Sequence, residues 1–211
     1  MKTLVKICGL TRLEDARFCA AAGADYLGFV LAKESPRFIT PDKVKEIIGW
    51  VYGPKTVGVF VDADPSYVNE IAQEIGFDLV QLHGNESVEE CRRIDAPIIK
   101  AIAVRPDTTA ADLEMEIGRY GDSIRHVLLD TSIRGVSGGT GQTFDWAVAT
   151  DTVRRHDTFV AGGVNSGNVV RVIQHLDPFA IDVATGVEDS PGIKDFEKVS
   201  TLLETVAGLA T

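Results

Sequence analysis

Cysteine is scarce in this chain of 211 residues, which carries only Cys8, Cys19 and Cys91. No CxxC occurs, and an odd number without paired spacing is neither a disulfide framework nor a metal-ligand pattern. Basic runs are also missing. Lys and Arg number 21 against 31 Asp and Glu, a net charge of −10, which argues against a nucleic-acid partner. No apolar run reaches membrane-spanning length, and the N-terminus lacks a basic-then-apolar signal segment. A membrane partner is therefore not expected, and a reducing, cytoplasmic location is. The first strand-to-helix turn carries Gly9 without a GxGxxG fingerprint, which counts against a dinucleotide fold. What remains is ordinary globular composition, 45% hydrophobic and 25% charged, with length for one sizeable core.

Short β-rich runs alternate with amphipathic stretches along the whole chain. The runs expected as strands are Thr3–Cys8, Tyr26–Leu31, Thr56–Val61, Leu79–Leu82, Ile98–Ile102, His126–Asp130, Thr158–Ala161 and Ala180–Val183. Helices are expected to start near Leu13, Pro41, Pro65, Ser87, Thr109, Asp145, Ser166 and Lys194. Pro41 and Pro65 suit a first helical turn, where a missing N–H costs nothing. Asp64 is an N-cap candidate, and Thr11 with Glu14 reads as a capping box. Eight strand-helix units of roughly 25 residues each predict an α/β fold, a single (β/α)8 TIM barrel over residues 1–211. A doubly wound open sheet is the competing architecture.

In such a barrel, chemistry gathers at the C-terminal strand ends and the loops beyond them. Cys8 ends the first strand, between it and a helix start, where a thiol pKa can fall. The alternative is a structural cysteine, since free Cys is among the most buried residue types. Residues two apart share a strand face, so Lys6 lies one layer below Cys8, inside the barrel. A buried ammonium needs a partner, and Asp182 on the last strand is the candidate. That pair is either purely structural or an aid to the Cys8 thiolate. Asp130 ends the sixth strand. Arg37, in Ser35-Pro36-Arg37, is either solvated or a carboxylate ligand, which its planar fork would match. His83 follows the fourth strand and reads as a pocket wall. Three late glycine elements contain Gly141, Gly162 with Gly163, and Thr185 with Gly186. Backbone N–H groups in such loops approach anions closely, and the loops after strands seven and eight are the usual phosphate site of this barrel.

Together these stretches resemble a known family. Lys6-Ile7-Cys8-Gly9-Leu10-Thr11 is similar to the opening signature of the phosphoribosylanthranilate isomerases, the Amadori-rearrangement enzymes of tryptophan biosynthesis. The resemblance continues through Gly28-Phe29-Val30, Ser35-Pro36-Arg37, Val57-Gly58-Val59-Phe60, Val80-Gln81-Leu82-His83-Gly84 and Leu128-Leu129-Asp130-Thr131. It runs on through Gly138-Gly139-Thr140-Gly141, Phe144-Asp145-Trp146, Ala161-Gly162-Gly163-Val164 and Asp182-Val183-Ala184-Thr185-Gly186-Val187-Glu188, to Pro191-Gly192 and Lys194-Asp195. It thus covers essentially the whole chain in order.

The resemblance implies conversion of N-(5'-phosphoribosyl)anthranilate into 1-(2-carboxyphenylamino)-1-deoxyribulose 5-phosphate, without metal or organic cofactor. It implies Cys8 as general base, Asp130 as general acid and Arg37 at the anthranilate carboxylate. His83, Gly141, Gly162, Gly163, Asp182, Thr185 and Gly186 are the further substrate-binding candidates, the late glycine loops holding the phosphate. Ala184-Thr185 stands where the family often has Ser-Ser, so one hydroxyl is missing and Thr185 keeps the other. The expected partner is a small anionic phosphosugar. A monomer or a homodimer, and a pathway-enzyme partner, stay open. The chemistry demands Asp130 protonated at rest, against an ordinary pKa of about 3.9, and Cys8 ionised, against about 8.5.

Overall fold

The computed structural model describes residues 2–130 and 147–209. Its elements are β1 (Leu4–Ile7), α1 (Leu13–Ala21), β2 (Tyr26–Val30), α2 (Pro41–Ile48), β3 (Lys55–Phe60), α3 (Pro65–Ile75), β4 (Leu79–Leu82) and α4 (Val88–Cys91). Then come β5 (Ile98–Ala103), α5 (Ala110–Tyr120), β6 (His126–Asp130), α6 (Ala147–Arg155), β7 (Thr158–Ala161), α7 (Val169–Leu176) and β8 (Ala180–Val183). A hairpin of β9 (Glu188–Ser190) and β10 (Ile193–Lys194) leads into α8 (Phe196–Gly208). Strands β1 to β8 are parallel, pair in sequence order and close into a barrel. Closure sets Leu4 opposite Ala180 and Lys6 opposite Asp182. This is the expected (β/α)8 architecture.

Strand alternation creates two apolar regions. Tyr26, Val57, Leu79, Ile99, Leu128, Phe159 and Ala180 fill the barrel interior. The intervening residues, such as Leu27, Phe60, Val80, Leu129 and Ile181, face outward and pack with Val44, Val68, Leu113 and Leu202 of the helices. Each large aliphatic or aromatic side chain buried this way contributes roughly 1.5–3 kcal/mol. Cys19 and Cys91 lie in this outer region and are free thiols.

Local signals account for several helix starts. Pro41 and Pro65 occupy first turns, and the Asp64 carboxylate accepts from Ser66 N at 2.8 Å. Ser87 with Glu90, and Thr109 with Asp112, form capping boxes. The Thr11–Glu14 box is a correction. The helix starts at Leu13 after an Arg12 cap that makes no side-chain bond, and Thr11 instead donates its hydroxyl to Gly192 O at 2.6 Å. The helix expected near Ser166 starts at Val169, because Asn165 and Asn168 bond the intervening turn. The one expected near Lys194 starts at Phe196, where Asp195 accepts from Lys198 N, and Lys194 belongs to β10. Asp145 lies outside the described residues.

Candidate active site

Cys8 is the first residue past β1 and is 7% exposed. Directly across from it, β2 carries Gly28. A Cβ there would lie 2.8 Å from the Cys8 sulfur and 3.1 Å from Lys6 Nζ. Glycine is therefore the residue that leaves room for thiol and ammonium together. Lys6, fully buried one layer down, donates to Asp182 Oδ1 at 2.8 Å. The expected interior ion pair is present.

The electrostatics of the thiol run against the expected lowering. Burial pushes the Cys8 pKa up, Lys6 pulls it down, Asp182 pushes it up again, and the balance is upward. No helix end offsets this, because α1 begins only at Leu13. Lys6 itself keeps its charge. Burial works against its ammonium, but Asp182 and Cys8 outweigh that and raise its pKa. An ammonium held by its carboxylate thus sits beside a thiol whose pKa burial raises.

Arg37 lies in the segment after β2, its side chain laid against Gly9, where a Cβ would collide with it. Its guanidinium is not an isolated charge. Nε donates to Glu188 Oε1 at 2.8 Å and Nη2 to Glu188 Oε2 at 2.6 Å, a bidentate pair. Nη2 also reaches the Thr185 hydroxyl at 3.2 Å. Among the described residues Nη1 makes no hydrogen bond, which leaves that edge for a ligand. Glu188 is held in turn by Lys194 Nζ at 3.0 Å and Gly192 N at 3.1 Å. Burial opposes its negative charge, but Arg37 and Lys194 prevail and hold its pKa below the usual carboxylate range. Lys194 Nζ also donates to the Cys8 carbonyl at 2.6 Å. The β9–β10 hairpin therefore ties arginine and thiol segments into one unit.

Asp130 ends β6, and His83 is the first residue past β4. The structure brings them together, with His83 Nε2 at 3.1 Å from Asp130 Oδ2. On the other side of the ring, Gln81 Nε2 lies 2.8 Å from Nδ1. The segment beyond His83 is pinned by a buried pair on the helix side of the wall. Lys100 Nζ meets Glu86 Oε2 and Gly84 O, each at 2.8 Å, and Glu86 accepts from Asp62 N at 2.9 Å.

The late glycine loops lie after β7 and β8. Gly162 and Gly163 have positive φ of 88° and 71°, a conformation other residues adopt only with strain. Asn168 donates to the Gly163 carbonyl at 2.9 Å. A Cβ on Gly186 would strike the Val164 carbonyl, so the two loops are packed against each other there. Thr185 lies in the short turn after β8. Gly141 lies outside the described residues. No cluster of three or more His, Cys, Asp and Glu suited to a metal ion occurs among the described residues. Nor is any described helix long and apolar enough to cross a membrane. An open groove lined by Arg92, Arg119, Arg125 and Asp122 lies at the opposite end of the barrel, away from all these groups.

Glu188, Lys194 and Gln81 carry no role in a reading of the sequence alone. Gln81 had one available signal, an amide in an otherwise apolar strand two residues before His83, hence on its face. Glu188 and Lys194 had none, since their partners lie far along the chain.

A thiol, a cation-backed ion pair, a clamped arginine and a histidine-bound carboxylate thus share one rim. Comparison with known proteins places that rim. Residues 5–205 match the family model described as N-(5'phosphoribosyl)anthranilate (PRA) isomerase. N-(5'-phosphoribosyl)anthranilate isomerase of Pseudomonas savastanoi pv. phaseolicola is 42% identical over 205 residues, covering 96% of this chain and 97% of that one. Among solved structures, phosphoribosyl anthranilate isomerase from Thermotoga maritima superposes with a TM-score of 0.88 at 37% identity, over 98% of this chain and 99% of that one. A phosphoribosyl anthranilate isomerase in complex with reduced 1-(O-carboxyphenylamino)-1-deoxyribulose 5-phosphate superposes with a TM-score of 0.85 at 35% identity, over 98% and 99%. Family match, whole-length identity and barrel geometry agree, and the chain belongs to the N-(5'-phosphoribosyl)anthranilate isomerase family.

Proposed function

We propose that this isomerase of tryptophan biosynthesis performs an Amadori rearrangement by general acid–base catalysis, with Asp130 as acid and Cys8 as base. The substrate is N-(5'-phosphoribosyl)anthranilate and the product 1-(2-carboxyphenylamino)-1-deoxyribulose 5-phosphate. Asp130 gives its proton to the ribose ring oxygen as the C1'–O bond breaks, and the nitrogen lone pair forms the iminium. Cys8, reacting as the thiolate, then takes the C2' proton and becomes the thiol, and the C2'–H electrons neutralise the iminium as an enolamine. Tautomerisation moves the enol proton to C1' and leaves the ketone. No redox partner is needed, because the oxidation at C2' balances the reduction at C1'.

The observation that carries this reading is the Lys6 ammonium directly beneath the Cys8 sulfur. It stabilises the thiolate when that forms, while the raised pKa makes the thiolate a stronger base. The open edge of Arg37 suits the anthranilate carboxylate. Gly162, Gly163, Thr185 and Gly186, with Gly141, suit the phosphate. Both anionic ends of the substrate would then be fixed while the ribose lies between acid and base.

The test is the loss of substrate fluorescence during turnover. Cys8→Ser and Asp130→Asn should each lower kcat by about a hundred- to ten-thousandfold while KM changes little. Wild-type turnover in either variant would remove that residue from its role.

A further inference from the structure

Lys194 carries a fully buried ammonium that has no part in the steps above. It lies 186 positions along the chain from Cys8, yet the two are in contact. Nζ has three acceptors for its three N–H bonds: the Cys8 carbonyl at 2.6 Å, Glu188 Oε1 at 3.0 Å and the Ala184 carbonyl at 3.4 Å. The backbone is anchored as well, since Lys194 N donates to Asp15 Oδ2 at 3.1 Å. The Cys8 carbonyl needs such a donor. The ladder between β1 and β2 ends here, where Gly9 N and Leu10 N both turn to the Gly28 carbonyl, and a buried carbonyl is costly without a partner. A neutral hydroxyl or amide would satisfy it. An ammonium is harder to bury, so its charge calls for a use of its own. The groups around the thiol supply one. Lys6 is matched by Asp182, and Asp15 faces Arg12 at 3.6 Å. Among the described residues, Glu188 serves both Arg37, at 2.6 Å, and Lys194. One carboxylate between two cations leaves a positive charge that a thiolate at Cys8 would balance. Against the burial that raises the Cys8 pKa, Lys6 and, to a smaller degree, Lys194 pull it down. Glu188 foremost, and Cys8 in smaller part, hold the Arg37 pKa up against burial.

We propose that Lys194 is a positioning residue for Cys8, its ammonium fixing the carbonyl behind the thiol and keeping a positive charge at the base while the C2' proton is taken. Cys8 N donates to the Val183 carbonyl at 2.9 Å, and the Cys8 carbonyl is joined through Nζ to that of Ala184. Both sides of the Cys8 backbone are thus referred to the end of β8. The base is thereby placed relative to the loop that carries Thr185 and Gly186, the candidates for the phosphate. The charge is fixed before the thiolate forms, so nothing has to reorganise when it does. Lys194 exchanges no proton, since the C2' proton goes to the sulfur. The proposal rests on the base role of Cys8 given above and adds what holds that base in place.

Lys194→Met removes the charge and its donors but leaves Glu188 paired with Arg37. Lys194→Gln restores a donor without the charge. Iodoacetamide labelling of Cys8 against pH, read by mass spectrometry, needs no turnover. Its profile should move up in both variants, by less than in Lys6→Met. Lys194→Met should lower kcat about ten- to a hundredfold with KM within about threefold, and Lys194→Gln should regain part of that loss. In a Cys8→Ser background Lys194→Met should cost nothing further, since residues that act through one another are not additive. A labelling profile that keeps its wild-type pH in both variants, or a kcat loss undiminished in Cys8→Ser, overturns the proposal and leaves Lys194 as a structural tie. Should Lys194→Met fail to fold, Lys194→Gln carries the labelling and the kinetics alone. Wild-type turnover in Cys8→Ser overturns the base role instead, and the labelling profile still decides whether Lys194 acts on the thiol.

Discussion

The Cys8 sulfur illustrates how a single atom answers to several opposing fields. Burial and Asp182 raise its pKa, while Lys6 lowers it. Removing Lys6 takes away the largest lowering influence and leaves Lys194 as a smaller one. In Lys6→Met, the pH at which Cys8 becomes reactive should therefore move further up. The pH profile of iodoacetamide labelling, read by mass spectrometry at Cys8, measures this. Cys19 and Cys91 are fully buried and their thiols are pushed up to about 12 and about 11, so they stay silent over the working range. An unmoved profile would reduce Lys6 to a structural role. The same change strands Asp182 as an unpaired buried carboxylate. Breaking such a pair costs about 3–5 kcal/mol, so a lower urea midpoint should accompany the shift.

At the scale of elements, the β9–β10 hairpin decides where Arg37 stands. Glu188 meets both Arg37 and Lys194, and all three are largely withdrawn from water. Glu188→Gln keeps the shape and removes the charge. Arg37 then loses its bidentate partner, and Lys194 is left as a buried ammonium with carbonyl neighbours. KM for phosphoribosylanthranilate should rise by about tenfold or more, the worth of roughly one charge-assisted hydrogen bond, while kcat falls less. Steady-state kinetics check this, and an unchanged KM would detach the hairpin from substrate binding. This clamp also marks how far the sequence is legible. Period-two alternation predicts the strands and the Lys6–Asp182 pair, because strand direction alone determines which residues share a face. Ser87 and Thr109 are readable as caps because their partners lie three residues away. Thr11 is not, since its partner Gly192 lies 181 positions on, and Glu188 lies 151 positions from Arg37. The upward shift at Cys8 is hidden for a related reason, as desolvation belongs to the closed barrel and not to any segment of it.

For the whole molecule, the interior of the barrel carries a titration of its own. His126 points into it among Phe159 and Phe179, stacked on the latter with centroids 4.9 Å apart, and its Nδ1 is buried with no hydrogen-bond partner among the described residues. Burial pushes its pKa below the ordinary histidine value, and a backbone contact at Asp157 offsets only part of that. The unfolded chain therefore binds this proton first, near pH 6.5. The associated stability is complete above that pH and is lost as pH falls towards the lower folded value. Urea midpoints at pH 7.5 and 5.5 should show this decline, and His126→Leu should flatten it. A wild-type slope kept in that variant would assign the decline to other groups. Lys6 and Asp182, meanwhile, are separated by 176 positions. During synthesis at about 5–20 residues per second, the ammonium waits roughly 10–35 s before its carboxylate exists. Until the last strand leaves the ribosome the ring has an open seam, and the thiol that the finished enzyme shelters stands within reach of any passing oxidant.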